Sequence, residues 1–206
     1  MSKLFDLTHT FTEDMPVYPG DPCVKFYQIA TLEEDGFNDR KIESGLHVGT
    51  HMDAPLHMLA GGKYISELSL SKFSGWGHLI DVRGRPKIEA DVLSDRAIER
   101  GDILLFFTGL SQKFRDPEYF TIHPELSVTL AKEIVSLGIN IVGLDFPSPD
   151  RPPFLIHKIL LGNGVLIIEN LTNLEQLLQI DRFRVMAYPI KFQAGGAPVR
   201  VIAESF

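Results

Sequence analysis

The chain has 206 residues, 44 % of them hydrophobic, which is enough to bury one substantial core. Its formal charge is −7 and it carries no basic run, so the electrostatic footprint of a nucleic-acid binder is missing. Cys23 is the single cysteine, which excludes an internal disulfide and a thiolate-rich zinc site and leaves nitrogen and oxygen as the metal donors.

The first half reads as strand-rich. Lys3 to Leu7, Val24 to Thr31, Lys41 to Val48 and His78 to Val82 are short segments rich in β-formers, separated by turns such as Pro19-Gly20-Asp21-Pro22. The second half alternates. Asp91 to Arg100 reads as a helix, Asp102 to Thr108 as a buried strand, and Ser127 to Leu137 as a helix stopped by Gly138. A strand from Asn140 to Asp145 follows, then a short helix from Pro153 to Leu161 with proline near its start, then the apolar strand Val165 to Ile168. Leu174 to Ile180 reads as helical, and strands Arg184 to Phe192 and Val199 to Glu204 close the chain around a turn at Ala194-Gly195-Gly196. This order predicts one layered α/β domain over residues 1–206. The N-terminus lacks the apolar run of a signal peptide and no window approaches ~18 uninterrupted apolar residues, so the expectation is a soluble cytoplasmic protein with no membrane partner.

The densest chemistry lies between Leu46 and Met58, where His47, His51, Asp53 and His57 fall within one short stretch. Imidazole is neutral and basic near neutral pH, so both metal binding and proton transfer favour it. An H-x-x-x-H pair is also found on the zinc-protease helix, but that helix needs glutamate after the first histidine, and here the position is Val48. Gly45, Gly49, Thr50 and Pro55 also disfavour a regular helix. In a strand the four odd-numbered side chains would share one side. A straight strand would hold His47 roughly 13 Å from His51, so a bend at Gly49-Thr50 is expected to fold His47 back towards His51 and Asp53.

Three ligands from His47, His51 and Asp53 leave a position for water, and Asp53 has a second oxygen with which to bridge two ions. A second ion needs more donors, and the candidates are His157 and Glu169, the latter ending an apolar strand. Read alone, Glu169 better suits a solvated residue opening the next loop. His57 suits a free acid/base, a third ligand, or an orienting partner of a ligand. Tyr18, Phe37, Phe146 and Phe154 are candidate walls for an aryl ring, although phenylalanines also simply fill cores. His9 reads as a structural hydrogen-bonding residue, His78 and His123 carry no assigned chemistry, and Asp145 suits a contact to the site or, in preference, a cap of the following turn. Cys23 has no adjacent base in sequence to make it a nucleophile.

Leu46-His47-Val48-Gly49-Thr50-His51-Met52-Asp53-Ala54-Pro55-Leu56-His57 resembles the H-x-G-T-H-x-D-x-P-x-H signature of the cyclase family of metal-dependent hydrolases, which includes bacterial kynurenine formamidases and isatin hydrolases. Further matches are Asp6-Leu7-Thr8-His9, Met15 to Asp21, Gly143 to Ser148, His157 to Gly162, Ile168 to Leu171 and Gly196 to Arg200, so the resemblance spans essentially the whole chain. It implies a three-layer β/β/α fold, assembly into homodimers or homotetramers, and two divalent ions, zinc or manganese. It further implies that His47, His51 and Asp53 hold one ion, that Asp53, His157 and Glu169 hold the other, and that His57 is the general acid/base. The expected activity is cleavage of a C–N amide bond by metal-activated hydroxide. An aryl formamide such as N-formylkynurenine is the leading substrate, and alternatives are a cyclic amide or lactone such as isatin, or metal or small-molecule binding without turnover. Related formamidases often carry tryptophan where this chain has Tyr18, which loosens the transfer of the exact substrate.

Overall fold

Short strands whose side chains alternate between two apolar layers organise this chain, and few helices are needed. The computed structural model describes residues 2–94 and 96–206. The strands are β1 (Lys3–Asp6), β2 (Lys25–Ala30), β3 (Asp39–Glu43), β4 (His51–Asp53), β5 (Ser74–Asp81), β6 (Lys87–Ile88), β7 (Ile103–Phe107), β8 (Glu125–Leu126), β9 (Ile141–Leu144), β10 (Leu166–Glu169), β11 (Phe183–Pro189) and β12 (Gly196–Ser205). The helices are α1 (Leu32–Asp35), α2 (Val128–Leu137) and α3 (Leu155–Gly162). Among the described residues no helix is long and apolar enough to cross a membrane.

The main sheet runs β1-β12-β11-β5-β7-β9-β10-β4, and β4 also pairs with β12, so the sheet closes on itself and leaves β1 as an outer edge. Strands β5, β7, β9 and β10 are parallel neighbours, while β1, β12, β11 and β4 join antiparallel. Every residue of β7 is buried, as the period-two rule requires of a strand covered on both faces. Ile103, Leu105 and Phe107 point into the curled sheet with Met52, Ile168, Val185 and Val201. Leu104 and Phe106 point the other way, against Leu130 and Ile134 of α2 and Ile156 and Leu160 of α3. The result is a mixed α/β fold with a barrel-like sheet and helices on its outer side.

Helix α2 starts where the sequence predicts, with the Ser127 side chain accepting from the Leu130 amide, and ends at Gly138 in the left-handed region at φ 71°. Other elements differ from expectation. Asp91 to Arg100 is not a helix: Ala90–Leu93 form one 3-10 turn that ends at Ser94, and Asp95 lies outside the described residues. Leu174 to Ile180 likewise shortens to a 3-10 turn at Leu174–Leu177. In both, Leu93 or Leu174 and Leu177 are buried within one turn, and a single turn suffices to deliver them to the core. The segment expected as a strand from Lys41 to Val48 ends at Glu43 and becomes irregular before β4.

Asp145, fully buried, caps a different turn from the one expected. Its carboxylate accepts from the Thr108 amide at 2.8 Å, the Thr108 hydroxyl at 2.6 Å and the Gly109 amide at 2.7 Å, at the end of β7. Burial pushes this carboxyl up to about 6 although all three donors favour its charged form.

Closure between β12 and β4 requires a residue without a side chain. Gly196 lies opposite Asp53, and a Cβ there would stand 2.5 Å from a His47 ring carbon and 2.8 Å from the Met52 carbonyl oxygen. We expect Gly196→Ala to lower stability by about 1–3 kcal/mol, because the Met52 carbonyl is backbone and cannot rotate away. Equilibrium urea denaturation checks this, and an unchanged midpoint would contradict the close approach.

Candidate metal centre

The period-two rule aims the ligand set. On β4, Met52 points into the curled sheet, so His51 and Asp53 point outward towards the helices. On β10, Ile168 points inward and Glu169 outward, and the antiparallel register sets Glu169 opposite His51. Helix α3 crosses this outer side and buries His157 there with Ile156, Leu160 and Leu161. Three separate elements therefore deliver His51, Asp53, Glu169 and His157 to one buried point.

His47 precedes β4 and reaches the same point because the chain bends at Gly49, whose φ of 63° is in the left-handed region. Its Nδ1 lies 2.6 Å from Asp53 Oδ1. His57 sits in the 3-10 turn Pro55–His57 after β4, with its ring stacked on His47 at 3.9 Å and 6.0 Å from the His157 ring. Among the described residues the His57 ring makes no hydrogen bond.

The two oxygens of Asp53 divide between neighbours. Oδ1 lies 2.6 Å from His47 Nδ1 and 3.5 Å from His51 Nε2, whereas Oδ2 lies 3.7 Å from His157 Nε2. Glu169 spans the same gap, with Oε2 3.4 Å from His51 Nε2 and Oε1 3.3 Å from His157 Nε2. Two imidazoles have fixed orientations: His51 Nδ1 donates to the Gly49 carbonyl at 2.8 Å and His157 Nδ1 to Asp150 at 2.6 Å, so both Nε2 atoms face the carboxylates.

This donor set fits divalent metal. Asp53 Oδ2 and Glu169 Oε1 are buried yet have no hydrogen-bond partner among the described residues, an arrangement that leaves two anionic oxygens requiring positive charge. The surrounding imidazoles register that requirement. Burial opposes a charge on His157, but the carboxylates of Asp150, Asp53 and Glu169 around it carry it up to about 12. Burial likewise opposes charge on His51, yet Glu169 and Asp53 raise it to about 9. Asp53 is held well below its ordinary value, with burial overcome by His157, His47 and His51. For His57 the balance is reversed: burial, helped by His47 and His157, lowers its affinity for a proton against the pull of Asp53 and Glu169. Two donor triads each converge closely enough for one ion, His47 with Asp53 and His57, and His51 with Asp53 and Glu169, a grouping that differs from the two sets the resemblance implies and brings His57 within ligand reach. Nitrogen and carboxylate donors suit zinc, manganese or iron.

A cavity of about 240 Å³ opens onto this cluster, lined by Tyr18, Asp21, His47, His51, His57, Met58, Pro147, Ser148, Phe154, His157 and Glu169. Its volume suits one substituted ring rather than a drug-sized molecule. Two larger cavities, of about 410 and 440 Å³, hold none of the clustered ligands, so chemistry and not size selects the site. Of the four aromatic residues expected to wall a pocket, Tyr18 and Phe154 do line it. Phe146 does not, because it is fully buried in the core beneath α3. Phe37 does not either, because it follows α1 in the exposed connection between β2 and β3 and is 57 % exposed. His9 stacks on Phe114 at 4.0 Å, His78 pairs with Asp102 at 2.7 Å, and His123 bonds the Pro124 carbonyl at 2.9 Å, so none of them joins the cluster. Cys23 is exposed and outside the cavity lining.

Sequence reasoning overlooked two residues. Asp150 holds His157, but it lies in a proline-rich loop with no periodicity to suggest contact. Asn170, in the left-handed region at φ 57°, donates to the Gly49 carbonyl at 3.0 Å and accepts from the Tyr119 hydroxyl at 3.0 Å. Its own carbonyl accepts from the Thr50 hydroxyl at 2.6 Å, which ties the end of β10 to the bend before β4.

The same arrangement of elements occurs in solved proteins. The isatin hydrolase A of Labrenzia aggregata superposes with a TM-score of 0.87 at 23 % identity, over 99 % of this chain and 94 % of that one, and so shares the fold. A predicted metal-dependent hydrolase from Bacillus stearothermophilus superposes with a TM-score of 0.80 at 29 % identity, over 99 % and 98 % of the two chains. The kynurenine formamidase of Bacillus cytotoxicus is 30 % identical over 98 % of this chain and 97 % of its own length. The putative cyclase family model matches residues 5–151, the stretch that contains the bend, β4 and His57. With that pattern present and relatives aligned over nearly its full length, the chain belongs to the putative cyclase family.

Proposed function

We propose that this protein is a metal-dependent hydrolase that cleaves the C–N bond of an aryl formamide, with N-formylkynurenine as the leading substrate. One observation carries the reading: five ligand-type side chains converge beside a cavity sized for one ring, and two of them are carboxylates that each bury an oxygen without a hydrogen-bond partner among the described residues. Kinship with a kynurenine formamidase supports the substrate class. In this reading His47, His51 and Asp53 hold one divalent ion, zinc or manganese, and Asp53, His157 and Glu169 hold a second. The split between the two Asp53 oxygens supports its bridging role.

Bound divalent ions would polarise the carbonyl and bring the pKa of water towards ~7. The remaining work falls to this chain's own groups. Tyr18, Met58, Pro147 and Phe154 offer apolar surface to the ring and keep bulk water from it. His57 accepts a proton at an imidazole nitrogen from the attacking water and delivers it to the departing nitrogen, which is a poor leaving group until protonated. Its lowered proton affinity keeps the ring neutral at neutral pH and able to accept. Two apolar layers, one within the curled sheet and one beneath the helices, support a three-layer β/β/α description of one domain over residues 1–206.

Assembly belongs to the same proposal. Strands β2 and β3 pair only with each other among the described residues, and Ile29, Phe37 and Ile42 of this arm are half or more exposed. An isolated two-stranded hairpin is marginal in water, and clustered exposed apolar groups mark an interaction surface. A second copy of the chain, in a homodimer or homotetramer, is the occupant. Light scattering should give a multiple of 23.1 kDa for the native protein, and Ile29→Glu with Ile42→Glu should reduce it to one chain. A native mass of one chain would refute assembly.

Turnover is tested by loading the protein with zinc or manganese and assaying N-formylkynurenine, simple formanilides and isatin. We expect chelator-sensitive hydrolysis of the formamides; isatin alone as substrate would shift the assignment to cyclic amides, and two bound ions without any turnover would favour a binding protein. His57→Ala should keep both ions, measured by elemental analysis, and lose on the order of 10²–10⁴-fold in kcat. A near wild-type rate would remove His57 from the chemistry. Asp53→Ala should lose metal as well as activity, since both ions depend on its carboxylate.

A further inference from the structure

The two buried imidazoles are oriented by unlike partners. His51 Nδ1 donates to a neutral acceptor, the Gly49 carbonyl, at 2.8 Å, whereas His157 Nδ1 meets a carboxylate, Asp150 Oδ1, at 2.6 Å. Asp150 is 4 % exposed, and its other oxygen accepts the Ile156 amide in the first turn of α3. The neighbouring Arg151 does not neutralise it. That guanidinium turns away, onto Glu125 and the carbonyls of Thr121 and His123. His157 is therefore the side chain that hydrogen-bonds Asp150, and the Ser148 hydroxyl, 2.6 Å from the Asp150 carbonyl, fixes the backbone that presents it. Phe154 holds the same imidazole edge to face, at 5.7 Å and 89°.

We propose that Asp150 is a positioning residue which fixes the His157 tautomer and sets the affinity of the metal position formed by Asp53, His157 and Glu169. The inference rests on the metal reading above but goes beyond it. With its proton locked on Nδ1, His157 has only the Nε2 lone pair to present, and that atom lies 3.7 Å from Asp53 Oδ2 and 3.3 Å from Glu169 Oε1. A carboxylate behind the ring also makes Nε2 a stronger donor than a carbonyl does, so the His157 side of the site is the more basic side. Because the same Asp150 side chain binds the Ile156 amide, the first turn of α3 and the ligand it carries are fixed together.

Asparagine separates these two duties. In Asp150→Asn the amide oxygen can still accept the Ile156 amide, while the amide NH₂ faces His157 Nδ1. A donor there makes Nδ1 the acceptor and moves the ring proton to Nε2, the atom the metal needs. Equilibrium dialysis against a competing chelator should show the wild type holding two ions. The variant should hold one with unchanged affinity and the other 10–100-fold more weakly, with the metal-free melting temperature preserved. On a His157→Ala background, Asp150→Asn should change metal affinity no further. Both ions held within twofold of wild type would overturn the proposal, and so would a lowered melting temperature with metal affinities intact, which is the outcome for a helix cap alone.

A second measurement needs no variant. Long-range proton–nitrogen spectra of the zinc-loaded wild type should place the His157 proton on Nδ1, shifted downfield by its carboxylate partner, and a proton on Nε2 would refute the assignment. A wild type that binds no ion at all would instead remove the metal reading itself, so the two failures are distinguishable.

Discussion

Two carboxylates that share one buried gap are the constraint on which this structure turns. Asp53 is 1 % exposed and Glu169 8 %, and each reaches both His51 and His157. Taking such charges out of water is costly unless positive charge and aligned donors meet them. The protein therefore has to bring imidazoles from distant parts of the chain to one place. A curled sheet does this economically: β4 is only three residues long, yet it is paired on one side with β10 and on the other with β12, so its two outward side chains cannot drift.

That requirement accounts for several local features that look unrelated. Gly196 keeps the β12 backbone close enough to β4 for the His47 ring to fit against it. Gly49 turns the chain so that His47 returns to Asp53, and its carbonyl then serves both His51 and Asn170. Asn170 adopts a left-handed conformation directly after Glu169, and its contacts to Gly49, Thr50 and Tyr119 lock the ends of β10 and β4 together. Strain and close approach are thus concentrated around the ligands, where misplacement by an ångström would matter most.

Much of this was legible in the chain because ligand spacing and strand periodicity are both local signals. The odd parity of His51 and Asp53 does put them on one face of a strand, and the bend expected at Gly49 is present. Parity overreached for His47 and His57, which flank the strand in a bend and a 3-10 turn and approach by chain reversal instead. The β/α alternation of the second half also reads through. The helices expected at 91–100 and 174–180 do not form, since helical spacing over two turns cannot be told from single 3-10 turns that drop one or two leucines into a core. Phe37 and Phe146 show the corresponding limit for pockets: proximity to a motif in sequence says nothing about whether a ring faces solvent, core or cavity.

Asp150 marks the deeper boundary of what the sequence reveals. A ligand is recognisable by type, because few side chains bind metal, but the group that orients a ligand can be a carboxylate, a carbonyl or water, and only the fold selects among them. Here the selection differs between His51 and His157 within one site. His51 takes its orientation from the backbone beside it, so the bend that positions the ring also fixes its tautomer, and no further residue is needed. His157 arrives in the first turn of a helix, where the carbonyls are committed to the helix itself, so an outside acceptor must be supplied. The loop before α3 supplies it with an aspartate that binds the first turn and the ring together. The bend before β4 can use its own backbone for this purpose, and the docked helix cannot. The asymmetry in orienting partners therefore follows from the elements that carry the ligands.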